Sequence, residues 1–101
     1  MIALNKWYRI VIGLMELVLA IPVLGGIIVI ANGYLPLSIM FFLHLLGLVF
    51  AIAGKQSKSG HILGMIGNII AVIPIIGMIS HAIIGIIMVF QGLSIKESPV
   101  E

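Results

Sequence analysis

Gly54-Lys55-Gln56-Ser57-Lys58-Ser59-Gly60 is the one polar, charged run in the interior of this chain, and its reading decides the fold. On its N-terminal side, Ile10 to Gly54 is about 45 residues with Glu16 as the sole formal charge. On its C-terminal side, Ser59 to Ile95 is about 37 residues with no formal charge. A helix needs about 20 apolar residues to cross a hydrocarbon core, so each half is long enough to cross twice. The loop at 54–60 then determines on which side of the bilayer everything else lies.

The composition agrees with a lipid solvent. Hydrophobic residues make up 62% of the 101 and charged residues 8%, with a mean hydropathy of +1.39; an average soluble domain is about a quarter charged. Too little polar surface is present to cover a water-soluble globule, and the expectation is one transmembrane domain over residues 1–101. The basic pI near 9.3 rests on Lys6, Arg9, Lys55, Lys58 and Lys96, which sit at the ends of apolar runs. They form no stripe with interleaved aromatics, so nucleic acid is not expected as a partner. The absence of cysteine excludes disulfides, thiolate metal ligands and a cysteine nucleophile.

Outward from the loop, the sequence predicts an all-α protein of four short transmembrane helices arranged as two hairpins. Residues 1–9 form an amphipathic lead in which Trp7 and Tyr8 lie between Lys6 and Arg9, a pattern of the headgroup layer. A cleavable signal peptide is not expected, because Glu16 interrupts the would-be apolar core and the run continues past Pro22. The spans are expected at about 10–31, 36–53, 61–74 and 77–93, with a polar tail at 94–101. Pro22 followed by Gly25 and Gly26 predicts a kink or early break in the first span. Asn32-Gly33-Tyr34-Leu35-Pro36 is a turn from which Pro36 opens the second. As one helix, the stretch from Gly60 to Leu93 would measure about 50 Å, beyond a core of about 30 Å, so it folds back near Pro74 to Gly77.

Ile21-Pro22-Val23-Leu24-Gly25 aligns with Ile73-Pro74-Ile75-Ile76-Gly77, and in the same register Glu16 falls on Asn68 and Gly33 on Gly85. Two hairpins so related would make a parallel internal repeat. The positive-inside rule gives the orientation: with four spans all five basic residues fall on one side and the opposite turns carry none, so both termini and the 54–60 loop are expected in the cytoplasm of a multi-pass cell-membrane protein. A three-span arrangement would put Lys96 outside.

Each span carries small residues at helical spacing, among them Gly13, Gly47, Gly60, Gly64 and Gly85, which let helices approach closely where burial gives little drive to associate. Among the polar residues within the spans, those with chemistry to offer are Glu16, His44, Asn68 and His81. Each is three or four residues from a small residue, so all four are expected to face the bundle interior. Counted from the terminal basic residues at 1.5 Å per residue, Glu16, Asn68 and His44 come out about 10 to 16 Å deep and are expected to meet, with His81 about 22 Å from Lys96 and nearer the far side. Two uses fit such a cluster: polar glue that sets helix register, or a proton or cation relay. Glu16 with two histidines is chemically reasonable for a metal, but no ligand spacing supports one. No cofactor is expected. Serines without any Asp in the chain to orient a histidine, and glycines outside a phosphate-binding context, give no enzyme signature.

The function expected from these features is non-catalytic: an accessory or regulatory subunit packed against another membrane protein within a larger complex. The alternatives are a homo-oligomeric, holin-like pore or proton conductor built on Glu16 and His44, and a bacteriocin-immunity-type membrane protein. In all of them the lipid bilayer is the first partner, and the second is another membrane protein or the chain itself.

Overall fold

The computed structural model describes residues 2–96, and among these every regular element is an α-helix: α1 Ile2–Leu19, α2 Leu24–Ala31, α3 Leu35–Ala53, α4 Ser59–Ile70 and α5 Pro74–Ser94. Two helices, α3 and α5, are long and apolar enough to cross a membrane. The number rises to three if α1 and α2, bent by 95° at the break between them, are counted as one span. The polar tail expected at 94–101 lies, beyond Lys96, outside the described residues.

The first expected span, 10–31, is not one helix. The chain leaves α1 after Leu19 and turns through Pro22 and Val23, where the Leu24 amide donates to the Pro22 carbonyl at 2.8 Å. Val23 sits at φ 70°, ψ −59°, the centre of a classic-handed γ-turn, a rare and strained conformation and most so for a β-branched residue. Gly25 follows because a Cβ there would lie 2.6 Å from the Leu19 carbonyl carbon. The elbow between α4 and α5 shares the close glycine approach, since a Cβ on Gly77 would lie 2.7 Å from the Ala71 carbonyl oxygen, but not the γ-turn, because Pro74 and the residue after it are already helical. Beyond the elbows the halves differ: α2 stops after 8 residues, whereas α5 runs for 21.

Two other boundaries move for local reasons. The fold-back expected at Pro74 to Gly77 occurs at Ala71 to Ile73, and Pro74 is the first residue of α5, where its fixed φ suits a helix start and its missing N–H costs nothing. The expected third span, 61–74, becomes α4 of 12 residues, only about 18 Å long. Residues 2–9 of the expected lead are part of α1, and Arg9, expected at the headgroups, is 1% exposed.

In the assembled fold α1 packs on α5 and α3, and α4 packs on α3 and α5, so the four helices close into a ring with α1 diagonal to α4. The fifth, α2, lies against α1, α3 and α5 at the end away from residues 2 and 96. The α1–α5 seam is antiparallel and close. A Cβ on Gly13 would fall 3.0 Å from the Gly85 oxygen, and one on Gly85 would fall 2.9 Å from the Gly13 oxygen. Lys6 sets the register at one end by donating to the carbonyls of Gly92 and Ile95, at 3.3 and 2.8 Å, on the exposed C-terminal turn of α5.

The ring is polar within and apolar without. Among the described residues seven buried side chains are polar or charged, against nine that are hydrophobic, while large aliphatic and aromatic groups such as Trp7, Ile27, Phe42, Ile75 and Phe90 are exposed. That inversion is what a bilayer solvent selects.

Candidate functional site

The buried polar groups form one file along the axis of the ring, centred on Glu16. The α1 stripe Asn5, Arg9, Gly13, Glu16 has spacings of four, four and three, which put all of them on one helix face. That face looks inward, and Glu16 is fully buried. Its carboxylate is tied to each of the other three ring helices. Oε1 accepts from Asn68 Nδ2 of α4 at 2.7 Å and lies 3.0 Å from His44 Nε2 of α3; Oε2 is bonded by His81 Nδ1 of α5. Asn68 is itself anchored by a second bond to the Gly64 carbonyl, 2.7 Å away.

All four polar residues singled out in the sequence therefore meet. For His81 this is a correction, since it was expected nearer the far side, away from Glu16. The depth count took Arg9 and Lys96 as lying at the same level. Arg9 is instead level with Gln91, whose Oε1 accepts from Arg9 Nη1 at 2.7 Å. Measured from that pair, Glu16 is seven residues along α1 and His81 ten along α5, and the helices bring them into contact.

A fifth member escaped sequence reading. His61 of α4 is fully buried, and its Nδ1 lies 3.3 Å from His44 Nδ1. The two rings are seated reciprocally: His44 fills the space that a side chain on Gly64 would take, and His61 the space over Gly47. These glycines, expected to bring helix backbones together, make room for imidazoles. The signal for His61 was present, since it precedes Gly64 by three residues and Asn68 by seven, on the same face of α4. Tyr8 closes over that end, its ring 6.0 Å from His61 and its hydroxyl donating to the Leu43 carbonyl at 2.5 Å. Gly60 does pack a neighbour closely: a Cβ there would meet the Met88 sulfur at 2.8 Å.

The resulting connectivity is His61, His44, Glu16, His81, drawn from all four ring helices. With Glu16 accepting, His44 donates from Nε2 and its Nδ1 accepts from His61, while His81 donates from Nδ1. In this tautomer set the outer nitrogens, His61 Nε2 and His81 Nε2, carry lone pairs; both are buried without a hydrogen-bond partner. His81 also lines a cavity of about 20 Å³ between the two elbows, bounded by Leu19, Gly25, Ala71 and Gly77. One water needs about 10 to 15 Å³ by that measure. No group of three or more His or acidic side chains among the described residues has the geometry to hold a metal ion.

Comparison with protein-family models, with curated proteins and with solved structures finds no match to this chain.

Proposed function

We propose that this is a small, non-catalytic, multi-pass membrane protein that passes protons along His61, His44, Glu16 and His81. The observation that carries the reading is the continuity of that file. Register could be held by one or two hydrogen bonds, whereas here each interior group uses both of its polar atoms to link a neighbour on either side. His44 bonds through Nδ1 and Nε2, Glu16 through Oε1 and Oε2. A proton taken up at His61 Nε2 releases the Nδ1 proton to His44, whose Nε2 proton passes to Glu16. Once the carboxyl has turned this proton onto Oε2 and His81 holds its own proton on Nε2 rather than Nδ1, Nδ1 takes the proton and Nε2 releases one to the cavity between the elbows, after which the three rings return to their starting tautomers.

The orientation goes with this reading. Four crossings put both termini and the 54–60 loop in the cytoplasm, in keeping with Lys6 at the C-terminal end of α5 and Arg9 bonded to the Ser57 carbonyl of the loop. The short α4 implies a locally thinned bilayer.

The test is proton flux into liposomes under a potassium diffusion potential, read with an entrapped pH dye. Wild-type protein should acidify the lumen, and Glu16→Gln should cut the rate at least tenfold while keeping its helical circular dichroism. Equal rates for the two proteins would refute the relay. A second reading, an accessory subunit, is favoured by the length of α2 and α4, 8 and 12 residues. Neither reaches across a hydrocarbon core of full thickness, about 30 Å, and a partner helix would cover the gap. A stoichiometric partner retained in mild detergent supports it, and recovery of the lone chain counts against it.

A further inference from the structure

The geometry points to a phosphate-oxyanion site at Arg9, at the end of the bundle where residues 2, 57 and 96 converge. Arg9 shares no hydrogen bond with the proton relay, although its charge acts on His61 at the near end, and the site does not depend on that relay conducting. Arg9 is 1% exposed, yet no carboxylate among the described residues pairs with it, since both ion pairs found there are between Glu16 and a histidine. Its guanidinium has five N–H donors. One Nη1 bond goes to Gln91 and one from Nη2 to the Ser57 carbonyl, both neutral acceptors, and Nε is buried without a partner. A full positive charge held away from water with neutral partners alone is strongly disfavoured unless an anion completes it.

Arg9 lines an open pocket of about 690 Å³. Around it stand Gln56 and Ser57, which offer further donors, and Lys96, a second cation, while the Ser94 hydroxyl on the same rim donates to the Phe90 carbonyl. The other wall is Ile86, Ile87 and Phe90. Arginine's planar fork matches phosphate oxygens two at a time, and lysine adds a point charge. A cationic floor beside an apolar wall suits an amphiphilic anion, with the phosphate of a phospholipid headgroup at Arg9 and Lys96 and its chain against Phe90. Basic pockets between membrane helices bind anionic lipid in this way. Free phosphate offers the same oxyanion without the apolar part.

The experiment uses the full chain in nanodiscs of phosphatidylcholine with one-fifth phosphatidylglycerol, and reads bound lipid by native mass spectrometry after release into detergent. A bound ratio of phosphatidylglycerol to phosphatidylcholine at least fivefold above that of the disc, lost in Arg9→Gln and halved or worse in Lys96→Gln, is the expected result. Lys96 is exposed and holds no helix in place, so its variant reports even if Arg9→Gln fails to fold. A parallel arm adds 20 mM inorganic phosphate to discs of phosphatidylcholine alone. A rise in thermal midpoint in wild type that Arg9→Gln or Lys96→Gln abolishes also supports the site and assigns it to free phosphate. Lipid retention matching the disc composition, with no shift from phosphate, overturns the proposal. So does selectivity that emerges only in Glu97→Gln, which would mean that the chain's own tail carboxylate occupies the pocket.

Discussion

Replacing Glu16 by leucine should be far more damaging than replacing it by glutamine, and the difference follows from the donors that face it. Glu16 accepts from Asn68, His44 and His81, three residues that are each no more than 2% exposed. In Glu16→Leu those donors lose their acceptor together. A buried donor left unmade costs about 1 to 3 kcal/mol, so three give roughly 3 to 9 kcal/mol, with the lower half favoured because Asn68 keeps its bond to Gly64 and a histidine can change tautomer. Glutamine retains one acceptor oxygen for Asn68 and His44 and turns its amide toward His81, which then accepts. The loss is the charge assistance of these bonds, about 1 kcal/mol each, offset by no longer burying a charge. The net cost of Glu16→Gln is therefore about 0 to 2 kcal/mol. Equilibrium unfolding in mixed micelles with rising dodecyl sulfate, followed by circular dichroism, measures both. A Glu16→Leu protein within about 0.5 kcal/mol of wild type would refute the view that Glu16 ties the ring together; single hydrogen bonds between membrane helices average about 0.6 kcal/mol.

Other consequences follow from the same geometry. Gly64→Ala puts a methyl into the His44 ring, and Gly47→Ala does the same to His61; each should destabilise by about 1 to 3 kcal/mol in the same assay, whereas Gly26→Ala, with open space around it, should be neutral or stabilising by up to about 1 kcal/mol. Val23→Gly relieves a β-branched residue at φ 70° and should raise stability by about 1 kcal/mol; a loss of that size would mean that the γ-turn is not strained. With no native cysteine to interfere, Lys55→Cys and Gly33→Cys should be labelled by an impermeant maleimide from opposite sides of sealed vesicles, and labelling of both from one side would overturn the four-crossing topology.

Much of the axial chemistry was legible in the chain. A glutamate, an asparagine and two histidines, each three or four residues from a glycine or alanine, point inward by helical period alone. What period does not carry is the vertical alignment of one helix on another. Arg9 beside Trp7 and Lys6 has the look of a headgroup anchor; its burial follows from the docking of the 54–60 loop, whose Ser57 carbonyl meets it. His61 stands next to the loop and reads as a boundary residue, although its spacing to Gly64 and Asn68 places it on the inner face. The elbow at Pro22 could be expected as a break, but its 95° bend could not, because the angle comes from the γ-turn at Val23 and the contact of Gly25 with Leu19.

The amino-acid sequence by itself determined the solvent, the helical class and the polarity of the helix faces. These depend on composition and on the 3.6-residue period, which act within a single element. Only the tertiary structure decided that Glu16 would take one partner from each of the other three ring helices, that two glycines would seat two imidazoles, and that Arg9 would be buried with no carboxylate partner among the described residues. These outcomes depend on the antiparallel register of α1 on α5 and of α3 on α4, and a shift of one turn in either would leave every face as it is and separate the histidines from the glutamate. The 54–60 loop holds that register at one end of the bundle, through the bond from Arg9 to Ser57.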